Sequence, residues 1–221
     1  MNPSLYIGVA GQKQNGKDTI SDYLRERLLQ DEEFKVDFER AAFAKSVKRI
    51  YAETFDVSYD FIEEWKVKDE PPPGFDMNVR QSLQFIGDGF RKIKASIWID
   101  LMFRNHGHKI ISDVRYLNEA RRIVQEGGLN ILVVHPDRVN DDPNGSEAQI
   151  RPYAVWCLEN IPVTGNATVG LMQNCQNETL PDLNLFQFFV RNDGSVQDLY
   201  SSVDSVLIPE IKRAFFLRGL L

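Results

Sequence analysis

The sequence has few cysteines and histidines, two and three respectively in 221 residues. Two cysteines cannot build a disulfide framework, and no spacing of cysteine and histidine suggests a zinc site. No run approaches the ~20 apolar residues that a membrane helix needs. Residues 1–11 lack the basic flank and long apolar segment of a secretory signal, and indicate a buried first strand instead. These absences predict a soluble, cytoplasmic protein with no membrane partner.

A surplus of positive charge is also absent. The chain has 26 Lys and Arg against 32 Asp and Glu, a formal net charge of -6. Proteins that bind nucleic-acid backbones usually carry a basic surplus, so the balance argues against a nucleic-acid partner. Basic residues do cluster locally, at 45–49, at 91–94 and around 115–122. An acidic chain with such clusters fits a small anionic ligand in a pocket, although each cluster alone fits a solvated helix face equally well.

The spacing of apolar residues alternates between strand-like runs and helix-like periods. Gly87-Asp88-Gly89 is expected to end a helix that Asn78 caps. Strand, helix and strand at this spacing predict an α/β fold of three layers, with a central parallel sheet flanked by helices. The predicted strands are 5–10, 38–43, 108–113, 130–134 and 186–190, and the predicted helices are 17–29, 44–55, one from Tyr59, 78–86, one around Trp98, 116–125 and a long one after Ser195.

The length and the apolar content of 43% suit one compact domain, which we predict to be residues 1–221. From about residue 137 to 185 the periodicity gives way to polar, turn-rich sequence. We interpret this segment as a flap or an insertion in the domain.

The most informative segment is the nine residues from Gly11 to Thr19. Gly11 and Gly16-Lys17 have the spacing G-x-x-x-x-G-K, in which two glycines let the backbone fold tightly around an anion. A strand-like run precedes the segment and an amphipathic helix follows it, as a phosphate-binding P-loop requires, and Lys17 would reach the β- and γ-phosphates. With the predicted sheet, the segment indicates a P-loop NTPase fold. The ATP-binding candidates in it are Gly11, Gln14, Asn15, Gly16, Lys17, Asp18 and Thr19.

The loop departs from the consensus at one position. Ser or Thr usually follows the lysine directly and holds Mg²⁺, whereas here Asp18 comes first and Thr19 second. Nucleoside monophosphate kinases have a similar offset. Asp18 and Thr19 therefore both remain candidate ligands, direct or through water, for a Mg²⁺ that accompanies ATP.

A second candidate segment contains Asp113 and Arg115. Asp113 ends a predicted core strand, and the carboxyl ends of parallel strands form the ligand-binding edge of such a sheet. Its carboxylate would serve the Mg²⁺ shell, and the Arg115 guanidinium would stabilise the charge of a transferred phosphoryl group. The alternatives are a helix cap for Asp113 and a surface ion pair for Arg115. We predict Lys17, Asp113 and Arg115 as the catalytic residues.

Several segments together resemble one known family, the bacteriophage-type deoxynucleoside monophosphate kinases. The resemblance covers most of the chain, in the family's order. It rests on residues 16–19, the Arg80–Gly87 segment, Trp98, Asp113-Val114-Arg115, residues 131–136, Ser146-Glu147-Ala148 and Asn192-Asp193-Gly194-Ser195.

The resemblance implies an enzyme of deoxynucleotide biosynthesis that uses ATP and Mg²⁺ to phosphorylate a dNMP, in the host cytoplasm if the gene is a bacteriophage one. It places Asn192 near the adenine of ATP. Trp98 offers a surface on which a base would stack, with a core position as the more frequent alternative. A homodimer is left open. The acceptor-binding candidates are Lys45, Lys66, Arg80, Gly87, Trp98, Arg115 and Glu147.

Two other functions remain open. One is a kinase of the same architecture with another small phosphorylated acceptor, of the phosphomevalonate or dephospho-coenzyme A type. The other is a regulatory ATP-binding module that phosphorylates no small molecule. The negative net charge and the local cationic clusters favour a kinase over the regulatory module.

Overall fold

The computed structural model describes residues 4–139, 147–162, 167–172, 180 and 182–219. The described residues form two compact units. The large unit comprises Met1–Ala41 and His106–Leu221, and the small unit comprises Ala42–Asn105. The strands are β1 (Tyr6–Ala10), β2 (Glu39–Ala41), β3 (Lys109–Val114), β4 (Leu129–Val134), β5 (Ala167–Leu171) and β6 (Phe188–Asn192). The α-helices are α1 (Lys17–Gln30), α2 (Ala44–Phe55), α3 (Tyr59–Trp65), α4 (Val79–Ile93), α5 (Ile97–Phe103), α6 (Leu117–Gln125), α7 (Arg151–Asn160), α8 (Val196–Ser202) and α9 (Ile208–Leu217).

The large unit contains one six-stranded sheet in the order β2-β3-β1-β4-β6-β5. All neighbouring pairs are parallel except β5 with β6. The central strands β1 and β4 are buried along their whole length, which explains their mostly apolar sequences. The predicted parallel α/β fold is thus confirmed for most of the sheet. The antiparallel edge strand β5 was missed, because its five residues lie in the polar segment that shows no strand-like periodicity.

Helices cover both faces of this sheet. On one face, Ile20 and Leu24 of α1 and Phe215 of α9 join one buried cluster with alternate residues of β1, β4 and β6. On the other face α6 lies so close to β1 that a Cβ on Gly8 would come within 2.6 Å of the Ile123 side chain. The result is the three-layer arrangement that the sequence predicts.

Helix α4 in the small unit corrects one prediction. Asn78 caps it as expected, because its side-chain Oδ1 accepts a hydrogen bond of 2.9 Å from the Gln81 N–H. Gly87-Asp88-Gly89 was expected to end the helix, yet α4 continues to Ile93. The apolar face of α4 packs on a buried cluster around Tyr51, and Trp98 Nε1 donates to the Gly87 carbonyl at 3.0 Å. This packing outweighs the cost of about 1 kcal/mol for each glycine in a helix.

The C-terminal helical region is interrupted, although one long helix was predicted. Ser195 caps α8 as expected, and its hydroxyl accepts from the Asp198 N–H at 3.2 Å. A π-helical turn at Val203–Leu207 then separates α8 from α9. Pro209 is the second residue of α9, and a proline lacks the N–H donor and crowds the carbonyl four residues earlier, so the wider turn accommodates it.

Within the described part of the chain, none of the helices combines the length and the hydropathy that a membrane span requires.

Candidate phosphate-binding site

The predicted P-loop connects β1 to α1 in the large unit. Gly11 has a φ of 146° and Gly16, which precedes α1, has a φ of 92°. A Cβ would lie 2.3 Å from the Val133 carbonyl oxygen at Gly11, and 2.4 Å from Asn192 Nδ2 at Gly16. Only glycine fits these two positions, because both the backbone conformation and the neighbouring atoms exclude a side chain.

Three side chains tie the loop to the carboxyl edge of the sheet. Asn15 is fully buried, and its Nδ2 donates to the Val133 carbonyl at 3.2 Å. Asn192, at the end of β6, donates from Nδ2 to the Asn15 carbonyl at 3.0 Å. Arg138 donates to the Gln14 carbonyl. The structure thus places Asn15 and Asn192, both predicted near ATP, as anchors of the loop, and contact of Asn192 with adenine stays a prediction.

Lys17 is the group of the loop whose pKa departs most from its ordinary value. Its side chain is buried, and its Nζ donates to the Gln12 carbonyl at 2.5 Å. Burial lowers the pKa of Lys17 to about 8; among the nearby charges, Glu147 opposes this shift most strongly and Arg115 adds to it. A cation that lacks full hydration would gain from a phosphate anion, so this environment fits phosphate binding.

The candidate metal ligands have different surroundings. The Asp18 side chain is 85% exposed and pairs with Arg40 Nη2 at 2.7 Å. Asp113 lies on β3 close enough to raise the pKa of Lys17, and Thr19 lies in the first turn of α1. No cluster of three or more metal-ligating side chains occurs among the residues that the structure describes. This donor set fits Mg²⁺, which in phosphate sites takes one or two carboxylates and completes its shell with phosphate oxygens and water.

Arg115 is fixed by two glutamates. The buried Glu119 in the first turn of α6 accepts from the backbone N–H groups of Arg115 and Tyr116, at 2.9 and 3.2 Å. Glu147 Oε1 lies 3.4 Å from Arg115 Nη1, and its Oε2 accepts from the Lys13 N–H at 2.7 Å. Arg115 and the P-loop therefore share one carboxylate. Ser146, which precedes Glu147 in the segment that resembles the kinase family, lies outside the described residues.

Comparison with known proteins identifies a relative of this chain. No protein-family profile matches the chain. A protein of Acanthamoeba polyphaga mimivirus, named "Putative deoxynucleotide monophosphate kinase", is 32% identical in an alignment of 185 positions, and the match covers 75% of this chain and 90% of the viral protein. The chain belongs to the deoxynucleotide monophosphate kinase family. The predicted resemblance is thus confirmed, and membership indicates a nucleotide-kinase-like function.

The remaining acceptor-binding candidates of this family member all lie in the small unit. Arg80 and Lys45 are exposed, in the first turns of α4 and α2, whereas Lys66 pairs with Glu63. Trp98 is 2% exposed and donates to the Gly87 carbonyl. That position favours the core interpretation of Trp98 over stacking on a base.

Three residues of the site were not found by the sequence analysis. Arg138 follows β4 at the carboxyl edge of the sheet, Glu119 is the third residue of α6, and Lys13 contributes its backbone N–H. A glutamate at the third position of a helix is a recognisable capping signal, and the carboxyl edge is the expected ligand edge. The role of a single backbone amide has no signal in the sequence.

Proposed function

We propose that this protein transfers the γ-phosphoryl group of ATP to a deoxynucleoside monophosphate and releases a deoxynucleoside diphosphate. The observation that carries the proposal is the joining of the glycine-constrained loop, the buried Lys17 and Arg115 at one edge of the sheet. Family membership supports the choice of nucleotides as substrates.

Each group of the site has a part in this reaction. The loop amides and Lys17 would bind the triphosphate, and Arg115 would stabilise charge on the transferred group, because phosphoryl transfer depends mainly on positioning and electrostatic stabilisation. Asp113 and Thr19 would hold Mg²⁺, which neutralises phosphate charge when it is bound. Asp18 is the weaker candidate, because it pairs with Arg40. No general base is needed, since the acceptor phosphate is already anionic at neutral pH.

The acceptor monophosphate needs cations of its own, because two anions must approach each other. Arg80 is the leading candidate, since it is exposed in the first turn of α4. Lys45 and Lys66 are further candidates, and the resemblance adds Gly87 and Glu147. These assignments rest on charge, exposure and family membership.

The test incubates the protein with ATP, Mg²⁺ and one of dTMP, dGMP, dCMP, dAMP, dephospho-coenzyme A or phosphomevalonate, and measures the products directly by anion-exchange chromatography. We expect ADP release that depends on at least one dNMP and stops when EDTA removes the metal. Turnover with only one of the other two acceptors would replace the proposed substrate class. ATP turnover that no acceptor stimulates would favour a regulatory module.

A further inference from the structure

The Glu147 carboxylate lies among the groups that are suited to bind phosphate. Its side chain is 12% exposed. One oxygen accepts from the Lys13 N–H at 2.7 Å, and the other lies 3.4 Å from the Arg115 guanidinium. Its negative charge also acts on Lys17. A single carboxylate thus interacts with a P-loop amide, with Arg115 and with the P-loop lysine.

Carboxylate and phosphate oxygens bind the same donors. Both accept hydrogen bonds from backbone amides, and both pair with the guanidinium group. Two anions at one poorly hydrated site repel each other more strongly than they would in water. Phosphate oxygens and Glu147 therefore cannot both use the Lys13 amide and Arg115 at full strength.

We propose that Glu147 competes with nucleotide phosphates for the Lys13 amide and Arg115, and so weakens the binding of the donor nucleotide. The proposal rests on the proposed function, because it takes the loop as the triphosphate site. It differs from the acceptor-binding role that the resemblance implies for Glu147, which would leave the affinity for ATP unchanged.

The surrounding contacts allow this exchange to occur without rearrangement of the backbone. Glu119 holds the backbone of Arg115 independently of Glu147. Gln149 Oε1 accepts from the Leu117 N–H at 3.0 Å, which ties the turn that follows Glu147 to α6. A change of the Glu147 side-chain rotamer is therefore enough to release the amide and the guanidinium.

The test measures binding without any acceptor, by titration calorimetry with inorganic tripolyphosphate and with ATP plus Mg²⁺. Glu147→Gln keeps the shape and an acceptor oxygen but removes the charge, and Glu147→Ala removes both. We expect Kd for both ligands to fall about fivefold or more in each variant, a coupling in the usual range. Glu159→Gln, on the exposed end of α7, is the control for the change in net charge and should leave Kd unchanged.

The possible outcomes distinguish the competition by Glu147 from the proposed function. An unchanged or higher Kd in both Glu147 variants, in protein that melts like the wild type, overturns the competition. A higher KM for the dNMP together with an unchanged Kd for ATP assigns Glu147 to the acceptor instead. If neither wild type nor variants bind tripolyphosphate or ATP, the loop is not a triphosphate site, and the proposed function fails with the inference.

Discussion

At the scale of single residues, the burial of Lys17 predicts how the reaction depends on pH. Burial lowers the pKa of Lys17 to about 8, so half of the free protein would lack this charge at that pH. The protonated form binds phosphate, and therefore kcat/KM for ATP should fall as the pH rises through about 8. The measurement is kcat/KM for ATP between pH 6.5 and 9.5, because this constant reports groups of the free enzyme. A flat profile to pH 9.5 would contradict the assignment.

The pH profile of Glu147→Gln checks the assignment of this pH dependence to Lys17. The negative charge of Glu147 raises the pKa of Lys17 against the effect of burial. Removal of that charge in Glu147→Gln should therefore move the descending limb to lower pH. A limb that keeps its position would mean that another group causes it.

The loop glycines give a second prediction at this scale. In Gly16→Ala the new Cβ would lie 2.4 Å from Asn192 Nδ2, in a backbone conformation that alanine rarely adopts. We expect a loss of about 1–3 kcal/mol in the free energy of unfolding and a weaker affinity for ATP. Thermal melts and titration calorimetry measure the two effects. Gly16→Ala protein with wild-type stability and ATP affinity would show that the loop does not have this geometry.

At the scale of elements, Gly89 tests the continuity of α4. A Cβ on Gly89 would meet nothing within 4 Å, and Gly89 lies inside the helix. Gly89→Ala should therefore raise the free energy of unfolding by about 0.5–1 kcal/mol, since alanine is the better helix former. Destabilisation in a thermal or denaturant melt would instead support the helix end that the sequence predicted at this position.

The success of prediction from sequence also depends on the element. The bounds of α2 were predicted in full and those of β1 and α1 within one residue, because their apolar spacing is a local property. The C-terminal end of α4 was not predicted correctly. Its glycines disfavour a helix, and only the packing around Tyr51 and Trp98 compensates for them. The short antiparallel strand β5 has no local signal either.

The residues of the candidate site also differ in whether the sequence predicted them. The glycine and lysine spacing predicted the P-loop, and the acid at the end of a strand pointed to Asp113 and Arg115. The contacts of Glu147 and Arg138 with that loop join residues more than 120 positions apart, so no local pattern contains them. What sequence reasoning missed are therefore the tertiary contacts that hold the loop.

At the scale of the whole molecule, the leading acceptor-binding candidate lies outside the unit that contains the P-loop. The P-loop belongs to the large unit, whereas Arg80 belongs to the small unit. Arg80→Ala should raise KM for the dNMP by about tenfold or more, the effect of losing one charge-assisted contact, with little change in KM for ATP. Arg49→Ala, another exposed arginine of the small unit, is the control. An equal rise in both KM values would remove Arg80 from the acceptor site.

The most direct test of the central claim, that residues 11–19 bind the triphosphate through Lys17, is the kcat of Lys17→Ala beside Arg213→Ala. Arg213 is an exposed cation on α9 of the same unit, so its loss controls for the change in net charge. We predict that Lys17→Ala lowers kcat by about 10³-fold or more while its melting temperature stays at or above that of the wild type, since a buried and desolvated charge is removed. Turnover of Lys17→Ala equal to that of Arg213→Ala would contradict the claim.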